Sequence, residues 1–293
     1  MYDIIIIGAG PAGLSAGIYA LRANKKVLII EKSFIGGQVA LLGDIFNYPA
    51  FEQIDGFSLA QKMKQQATKL GAEIVMQEVK SVNLTDKTKI VTTYSQSYES
   101  KAVIIATGAY SKPLNLPNEK EFFGKGLSYC ATCDGNFFKG KDVAIVGSGT
   151  NALNDCSYLA NLAKNLYIIF THDAPNFNAQ NVLANVKIFD NTNVKSINGQ
   201  GVLSEICLES KTDHSEKTLK VDGLFVNLGK KPYTHIFDGV ALNEAGYIIT
   251  DQNMRTNIKN VYAVGDVRNT PLKQIVTACA DGAVAVSTFI AEN

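Results

Sequence analysis

The sequence predicts an α/β protein of two Rossmann-like domains, each a three-layer ββα arrangement, with the second domain inserted into the first. Three observations support this fold class. The chain has 293 residues, more than the roughly 100 to 200 residues of one typical domain. A strand, a glycine-rich turn, a helix and a second strand follow one another over residues 3–31, and the same order returns over residues 142–170.

The first unit carries a Gly-x-Gly-x-x-Gly turn between an apolar strand and a helix of small residues. Glycines in such a turn let a pyrophosphate approach the backbone, where free N–H groups and the positive end of the helix dipole attract its charge. Glu31, at the end of the second strand, is placed to accept hydrogen bonds from ribose hydroxyls. A tight turn without a ligand is the alternative, but the flanking strand and helix favour nucleotide binding. The residues expected to bind the nucleotide are Gly8, Gly10, Pro11, Ala12, Gly13, Glu31 and Lys32.

The residues between the two units predict one helix and several short strands. The stretch 57–70 has apolar residues at helical spacing, and shorter stretches of alternating polarity indicate strands. Residues 103–106 form an apolar run followed by Thr107 and Gly108, which predicts a buried strand ending in a turn. We assign these elements to the first domain.

Two proline-bearing stretches mark the domain limits. They lie at residues 113–117 and 230–232, on either side of the second unit, and are expected to act as hinges. We therefore assign residues 1–113 and 236–293 to a nucleotide-binding domain and residues 114–235 to the inserted domain.

The second unit aligns with the first without a gap, but it lacks two features of a pyridine nucleotide site. Phe170 stands where Glu31 stands in the first unit, and an apolar ring cannot accept hydrogen bonds from ribose hydroxyls. Asp173, a few residues later, would repel a 2′-phosphate, and the guanidinium clamp that such a phosphate prefers is missing. The arginines of the chain all lie outside this unit, at Arg22, Arg255 and Arg268. The retained glycine motif at residues 147–152 is equally explained by close packing of a helix on a strand, so binding of NADPH or NADH is disfavoured.

Composition and charge exclude several classes of protein. A net charge of +1 lacks the basic excess that nucleic-acid binding requires, so no nucleic-acid partner is expected. The chain starts without a recognisable export signal, and its early apolar run over residues 4–7 is far shorter than the ~20 residues of a membrane span. Five cysteines, an odd number with one close pair, suit a reducing compartment. A cytoplasmic protein without a membrane partner is therefore expected.

The close pair Cys130 and Cys133 has the spacing of a redox disulfide. Two thiols separated by two residues can form a reversible disulfide within one turn of chain. A structural zinc site is the alternative, but such a site needs four ligands. The other cysteines are isolated and the three histidines show no ligand spacing. Redox chemistry is therefore favoured, and no metal is expected.

The glycine turn, the Cys-Ala-Thr-Cys-Asp centre at residues 130–134 and the Gly-Asp motif at residues 265–266 together resemble the low-molecular-weight thioredoxin reductases over essentially the whole chain. The resemblance implies the flavin disulfide reductase type of fold, FAD as cofactor, thioredoxin or a thioredoxin-like protein as substrate, and a homodimer. It also implies that Cys133 is the sulfur next to the flavin and that Cys130 attacks the partner. Asp134 matches the acid that moves a proton to or from the pair, with helix capping as the alternative role.

The same resemblance implies a set of flavin contacts outside the first glycine turn. They lie in a Gly-Gly-Gln turn and the loop after it, in the turn that ends the buried strand, and in the C-terminal Gly-Asp motif with the segment that follows. Lys273 stands where many members of the family carry arginine. The matching residues are Gly37, Gln38, Asn47, Thr107, Gly108, Gly265, Asp266, Lys273, Gln274 and Ile275.

The expected electron donor follows from a departure from most of the family. NADPH-dependent members have a His-Arg-Arg segment directly after the second strand of the repeat that corresponds to residues 142–170. This chain has Thr-His-Asp there, at residues 171–173. In this respect the chain is similar to the ferredoxin-dependent flavin thioredoxin reductases, which implies reduced ferredoxin as the donor. The alternatives are an NADPH- or NADH-dependent reductase with an atypical site, a dithiol oxidase that passes electrons from a thiol to oxygen, and a flavin-bound sensor without activity. The intact cysteine pair argues against the sensor.

Overall fold

The fold alternates strands and helices along two stretches of the chain, as the repeated glycine motif predicts. The computed structural model describes residues 1–147, 150–172 and 184–293, except for the side chains of residues 150–154. Ser148, Gly149 and Asp173 of the second unit therefore lie outside the described residues. In chain order the strands are β1 (Tyr2–Ile7), β2 (Val27–Glu31), β3 (Asp44–Ile45), β4 (Ile54–Asp55), β5 (Glu73–Met76), β6 (Val79–Asn83), β7 (Lys89–Thr93), β8 (Ser97–Ile105), β9 (Ala109–Ser111), β10 (Leu127–Ser128), β11 (Asp142–Gly147), β12 (Asn165–Phe170), β13 (Val186–Phe189), β14 (Thr192–Gly199), β15 (Leu203–Ser210), β16 (Glu216–Lys220), β17 (Gly223–Asn227), β18 (Lys230–Pro232) and β19 (Val261–Ala263). The helices are α1 (Pro11–Arg22), α2 (Gly56–Lys69), α3 (Glu119–Phe122), α4 (Ala131–Asp134), α5 (Thr150–Ala160) and α6 (Ile275–Glu292), with short 3-10 helices at Gly37–Leu41, Gly135–Phe138 and Gly265–Val267.

The chain divides into two compact domains, called the first and second unit from here on, and the second interrupts the first. Each unit contains one of the two strand–turn–helix–strand repeats. The first unit comprises Met1–Tyr110 and Lys231–Asn293, and the second comprises Ser111–Lys230. The connecting strands β9 and β18 pair with each other where the chain leaves and re-enters the first unit. β9 lies just before the proline-bearing stretch at residues 113–117, whereas β18 coincides with the stretch at residues 230–232.

The first unit is a seven-stranded sheet with helices on one face. Its strand order is β5-β2-β1-β8-β7-β6, and β19 pairs with β8. β1, β2, β5, β8 and β19 run parallel, whereas β7 and β6 continue the sheet as an antiparallel extension. Ile4 and Ile6 of β1 share a core with the helices, and Ile5 and Ile7 belong to a second core. Burial of both faces explains why this strand is a continuous apolar run.

Helices α1 and α6 pack against each other in the first unit. A side chain at position 282 would collide with the backbone carbonyl of Ala12, so Gly282 lets the two helices approach closely. α6 is long and apolar enough to cross a membrane by length and composition alone. Its buried residues Ala285, Val286 and Phe289 belong to the core of the first unit, which is the arrangement of a core helix.

The second unit repeats the layered arrangement. Its parallel sheet has the order β10-β17-β11-β12-β13, and β14, β15 and β16 form a separate antiparallel sheet. Leu159 of α5 shares one core with Ile145 of β11, whereas Ile206 of the antiparallel sheet shares the other core with Val146. The central sheet therefore has a helix on one face and strands on the other. The predicted α/β fold with two Rossmann-like parallel sheets is confirmed.

Candidate active site

The first glycine motif lies at the carboxyl end of β1, where the chain turns into α1. Gly8 has a φ of +109°, and a side chain there would collide with the carbonyl of Ala106. A side chain at Gly13 would likewise collide with the carbonyl of Gly8. At Gly10, in contrast, no described residue other than its two chain neighbours has an atom within 4 Å of the position that a Cβ would take. Packing therefore explains two of the glycines, whereas the third leaves open space beside the helix.

The N terminus of α1 borders this open space. Gly10 is the N-cap residue, Pro11 is the first residue of the helix, and none of the described side chains caps this end. The first N–H groups of a helix have no partner within the helix, and they carry the positive end of its dipole. The turn therefore fits a phosphate or pyrophosphate group that approaches at Gly10.

Glu31 lies at the end of β2 and is only 8% exposed. Its two carboxylate oxygens accept hydrogen bonds from the backbone N–H groups of Ala9 and Ser33, at 2.8 and 2.9 Å. The carboxylate is thereby held beside the glycine turn, and each oxygen keeps a lone pair that can accept from a ribose hydroxyl. Lys32, the next residue, has its Nζ 4.3 Å from the ring centroid of Tyr233, which is a cation–π contact.

A second glycine turn, at Gly36 and Gly37, lies directly against the first. The N–H of Gly36 donates to a carbonyl of the first turn at 2.8 Å. Gly37 has a φ of +54°, and the position of its missing Cβ is 3.4 Å from the Cα of Gly10. Gln38 follows and donates a hydrogen bond from Nε2 to the carbonyl of Ala109. Gly37 is thus brought next to the open space at Gly10, and Gln38 reaches the start of β9.

The turn after β8 joins the same edge of the sheet. Thr107 donates from Oγ1 to the carbonyl of Tyr233 at 2.8 Å, and the N–H of Tyr233 donates to the carbonyl of Gly108 at 3.1 Å. Gly108 has a φ of +67°, a conformation that favours glycine. The rings of Tyr110 and Tyr233 lie 4.8 Å apart between their centroids. These contacts fix the chain where it leaves and re-enters the first unit.

The C-terminal Gly-Asp motif reaches the glycine turn from β19. Gly265 has a φ of +71°, and the position of its missing Cβ is 3.0 Å from the Cβ of Ala12 in α1. Asp266 follows within a single 3-10 turn. A side chain at position 265 would be both strained and crowded, so glycine lets this turn lie beside the start of α1.

A buried ion pair holds the Gly265 turn in place. Asp281 of α6 accepts from the N–H of Gly265 at 2.9 Å, and from Nε and Nη2 of Arg268 at 2.7 and 2.8 Å. The side chains of Arg268 and Asp281 are 14% and 10% exposed, and this two-point geometry is the strong form of an ion pair. Sequence reasoning missed both residues, because they lie 13 positions apart and only the packing of α6 brings them together.

The segment before α6 contributes the remaining predicted contacts. Asn47 donates from Nδ2 to Oε1 of Gln274 at 3.1 Å. Gln274 is also the N-cap of α6 and forms one half of a reciprocal capping box. Ile275 is the first residue of α6, and Lys273 donates from Nζ to the carbonyl of Arg268 at 3.4 Å. These contacts join the loop that carries Asn47 to the start of α6, and Lys273 to the residue that follows the Gly265–Val267 turn.

In the second unit, Cys130 and Cys133 form a disulfide with 5.3 Å between their Cα atoms. Cys130 is the N-cap of α4, and the N–H of Asp134 donates to its carbonyl at 3.1 Å. The two cysteines therefore lie on one turn, as their spacing predicts. Within the described part of the chain, no three His, Cys, Asp or Glu side chains are grouped as a metal site requires.

The three remaining cysteines are free thiols with raised pKa values. Burial raises the pKa of Cys156 to about 12, and it also raises the pKa of Cys279. Burial and the neighbouring Glu216 raise the pKa of Cys207. Because the thiolate is the reactive form of cysteine, these three thiols are poor nucleophiles near neutral pH. The disulfide pair is therefore the candidate reactive centre among the cysteines.

The carboxyl of Asp134 is bound to a serine rather than to a helix end. It accepts from Oγ of Ser128 at 2.6 Å, and it caps neither α4 nor the 3-10 helix that follows. Burial raises the pKa of Asp134, and the hydrogen bond from Ser128 opposes part of that rise. A carboxyl with a raised pKa is suited to proton exchange. The sequence did not predict Ser128 as a partner of Asp134, although the position of Ser128 two residues before Cys130 places a hydroxyl close to the cysteine pair.

The carboxyl of Glu119, which the sequence did not predict, holds the segment that leads to the cysteines. Glu119 is 6% exposed and accepts from the N–H groups of Leu114 and Asn115 at 2.8 Å each. The hydroxyl of Tyr129 also donates to Glu119. Burial and this hydrogen bond raise the pKa of Tyr129, so the residue next to Cys130 remains a neutral donor near neutral pH.

The second unit differs from the first at the end of its second strand. β11 and β12 pair in the same register as β1 and β2, so Phe170 is the structural counterpart of Glu31. Phe170 pairs with Gly147 and is 1% exposed. Just beyond it, Lys211 donates from Nζ to the carbonyl of Thr171 at 2.5 Å. The end of this strand therefore offers an apolar ring and a lysine, but no carboxylate at the position of Glu31.

Comparison with known proteins agrees with these features. The sequence profile of the pyridine nucleotide-disulphide oxidoreductase family matches residues 2–282. The thioredoxin reductase of Bacillus subtilis is 40% identical over 298 residues, which cover 98% of this chain and 93% of the relative. The structure of thioredoxin reductase from Streptococcus pyogenes has a TM-score of 0.93 and 36% identity, and the match covers 100% of this chain and 99% of that one. A ferredoxin-flavin thioredoxin reductase from Clostridium acetobutylicum has a TM-score of 0.55 and 30% identity, and the match covers 99% of this chain and 97% of that one.

These similarities extend over both units. They include the glycine turn, the cysteine pair and the C-terminal Gly-Asp motif, which all lie within the matched residues. They confirm FAD as the expected cofactor and oxidoreductase chemistry as the expected activity. The chain belongs to the pyridine nucleotide-disulphide oxidoreductase family and, within it, to the low-molecular-weight thioredoxin reductases.

Proposed function

We propose that this thioredoxin reductase draws its electrons from reduced ferredoxin and delivers them to thioredoxin through Cys130 and Cys133. The observation that carries the choice of donor is Phe170, a buried ring at the end of β12. A nucleotide-binding unit needs a carboxylate there to hold the adenosine ribose of NADH, or a cationic clamp to hold the 2′-phosphate of NADPH. An apolar ring provides neither.

The rest of the second unit adds to this argument. Residues 111–230 contain no arginine, so this unit has no guanidinium to clamp a 2′-phosphate. The relative from Clostridium acetobutylicum is by name a ferredoxin-flavin reductase, and it matches 99% of this chain. A ferredoxin donor is therefore compatible with a chain of this length and family.

We assign the residues of the first unit to distinct parts of FAD. Gly10 and the start of α1 would hold the pyrophosphate, and Glu31 would hold the adenosine ribose. The Gly265–Asp266 turn would border the ribityl chain and the ring. Bound FAD supplies the electron pair that reduces the disulfide. The other residues assigned to the cofactor are Gly8, Pro11, Ala12, Gly13, Lys32, Gly37, Gln38, Asn47, Thr107, Gly108, Lys273, Gln274 and Ile275.

The reduced cysteine pair passes two electrons to thioredoxin by thiol–disulfide exchange. The thiolate of Cys130 attacks one sulfur of the thioredoxin disulfide, which forms a mixed disulfide and releases the other thioredoxin sulfur as a thiolate. The thiolate of Cys133 then attacks the sulfur of Cys130, restores the enzyme disulfide and releases the first thioredoxin sulfur. Each released sulfur takes up a proton. The enzyme pair thus loses two electrons and two protons, and thioredoxin gains both.

Asp134 serves as the acid–base residue in this scheme. It accepts a proton when a thiol of the pair becomes a thiolate, and it returns the proton when a thiolate must leave as a thiol. Burial raises its pKa towards the range in which such exchange is efficient. Asp134 and Cys130 lie on one turn of chain, joined by the backbone hydrogen bond from N–H to carbonyl at 3.1 Å.

A reductase that uses NADPH or NADH is the second candidate. The second unit keeps the strand, helix and strand order of a nucleotide-binding unit. Lys211 also has its Nζ 2.5 Å from the carbonyl of Thr171, just beyond β12. A lysine there offers a positive charge to a 2′-phosphate, although it lacks the two-point geometry of arginine.

Anaerobic reduction of the flavin distinguishes the two donors. The purified holoprotein is mixed with NADPH, with NADH or with reduced ferredoxin, and the loss of flavin absorbance is followed. We expect rapid loss with ferredoxin alone. Rapid loss with either nicotinamide at micromolar concentration would refute the ferredoxin donor. Loss of the NADPH reaction in Lys211→Ala would then support the second candidate.

Cysteine variants test the delivery of electrons to thioredoxin. In Cys130→Ser, reduction of the flavin by the working donor should persist while reduction of thioredoxin stops. Cys156→Ala is the matched control and should keep both activities, because its buried thiol takes no part in the scheme. Unchanged turnover in Cys130→Ser would remove the role assigned to that sulfur. We also propose a cytoplasmic homodimer, and sedimentation velocity of the holoprotein checks the dimer.

A further inference from the structure

Ser128 ends β10 and is almost fully buried, with 4% of its surface exposed. Its Oγ donates to Oδ2 of Asp134 at 2.6 Å and accepts from the N–H of Cys130 at 3.0 Å. The same Oγ lies 3.4 Å from the carbonyl oxygen of Cys130. Ser128 also pairs with Phe225 across β10 and β17, which anchors it to the sheet. One hydroxyl therefore links the backbone of the first cysteine to the carboxyl of the proposed acid.

This hydroxyl has a partner in both protonation states of Asp134. A serine has one proton to donate and two lone pairs with which to accept. When Asp134 is ionised, the serine proton is donated to Oδ2. When Asp134 is protonated, its own O–H can donate to Oγ, and the serine proton can turn to the carbonyl of Cys130. Neither state leaves this buried hydroxyl unpaired, which would be costly.

We propose that Ser128 is a positioning residue that holds Asp134 beside the cysteine pair and sets the pH at which Asp134 exchanges its proton. The proposal rests on the acid–base role of Asp134 in the proposed function. A hydrogen bond donated to an ionised carboxyl stabilises that form, so the pKa of Asp134 is lower with Ser128 than without it. Burial acts in the opposite direction and is the larger effect.

The elements packed around α4 contribute few competing groups. The titratable residues of α5 whose side chains are described are Asp155, Cys156 and Tyr158. Burial raises the pKa of Asp155, which accepts a hydrogen bond from Asn227 at 2.7 Å, and burial raises the pKa of Cys156 to about 12. The sequences of β17 and of the 3-10 helix after α4 contain no charged residue. The thiols of the reduced pair are the other titrating groups, and they titrate together with Asp134.

The test compares Ser128→Ala and Ser128→Thr with the wild type and with Asp134→Asn. Each full-length holoprotein is reduced with a phosphine, so the result does not depend on the natural electron donor. The rate of exchange with oxidised thioredoxin is then measured as a function of pH, and the limb of the profile that vanishes in Asp134→Asn is assigned to Asp134. We expect Ser128→Ala to shift this limb upward by about one to two pH units, the effect of one hydrogen bond to a charged group. Ser128→Thr keeps the hydroxyl and should leave the limb in place.

The outcomes separate the positioning role from the acid–base role. A limb that stays in place in a folded, flavin-loaded Ser128→Ala variant would overturn the positioning role of Ser128. A wild-type profile without any limb that depends on Asp134 would refute the acid–base role instead. If alanine prevents folding, Ser128→Cys takes its place, because a thiol is a weaker donor. Titration of the Asp134 carboxyl by carbon-13 NMR in the oxidised protein should then give a higher midpoint than in the wild type, and an equal midpoint would overturn the proposal.

Discussion

Removing either charge of the buried Arg268–Asp281 pair should destabilise the first unit and weaken its binding of FAD. Asp281→Asn can still accept from the N–H of Gly265, but it leaves the guanidinium of Arg268 without a counter-charge. Arg268→Met leaves Asp281 as a carboxylate with one backbone donor. The two side chains are 14% and 10% exposed, so water can replace the lost partner only in part.

The expected cost follows from this degree of burial. Breaking a fully buried ion pair by removing one partner costs about 3 to 5 kcal/mol, and the residual exposure lowers our estimate to about 2 to 3 kcal/mol for each single variant. The double variant Arg268→Met/Asp281→Asn leaves no unpaired charge, so it should cost less than the sum of the single variants by about 1 to 2 kcal/mol. Arg255→Met is a matched control, because Arg255 pairs with Asp251 and Glu292 at the surface, with side-chain exposures of 41%, 44% and 35%. An exposed pair of this kind contributes ~1 kcal/mol or less.

Urea unfolding of the FAD-free protein, followed by circular dichroism, measures these free energies. Each single variant should lower the midpoint of the transition by about 1 M urea, whereas the Arg255→Met control should move it much less. The dissociation constant of FAD, measured by quenching of its fluorescence, should rise in the single variants because the Gly265 turn is no longer fixed. Single variants that unfold within ~0.5 kcal/mol of the wild type, or costs that simply add in the double variant, would refute the claim that the pair acts as a unit.

Local geometry leads to three further expected outcomes. Gly10→Ala should fold normally but fail to bind FAD, because its methyl group fills the open space at the glycine turn. Gly13→Ala should instead impair folding, because its methyl group collides with the backbone. Tight FAD binding by Gly10→Ala in a fluorescence titration would contradict the assigned pyrophosphate site. Iodoacetamide should alkylate the reduced cysteine pair in the native protein but should reach Cys156, whose pKa burial raises to about 12, only in urea, and native labelling of Cys156 in peptide mass spectra would disprove its burial. The hydrogen bond from the hydroxyl of Tyr262 is the main cause that lowers the pKa of Glu292. The stability that this hydrogen bond contributes is therefore present above the ordinary pKa of a glutamate, and it is lost as the pH falls through the lowered pKa. The difference in unfolding free energy between the wild type and Tyr262→Phe should therefore shrink between about pH 7 and about pH 3, and a constant difference in urea titrations would exclude this linkage.

The predictable parts of the site lie in short continuous motifs. The two glycine turns depend on backbone conformation and close approach, and the cysteine pair depends on a spacing of one turn, all of which neighbouring residues decide. The side chains that hold these motifs were not predictable in the same way. Glu119 accepts hydrogen bonds from Leu114, Asn115 and Tyr129, and Asp281 accepts from Gly265 and Arg268. No pattern along the chain distinguishes these two acids from the exposed acids, because only folding brings them next to buried donors.

By itself, the sequence determined two strand–turn–helix–strand units, a redox pair and the family to which they belong, because hydrophobic spacing and glycine position act locally. It also placed Phe170 at the position of the second repeat that is equivalent to Glu31 of the first, since an ungapped repeat preserves the register of paired strands. Only the tertiary structure decided that β9 and β18 pair at the connections, that Arg268 meets Asp281, and that Ser128 binds Asp134. A buried charge or hydroxyl is stable only where folding supplies its partner, and that partner comes from packing rather than from the order of residues along the chain.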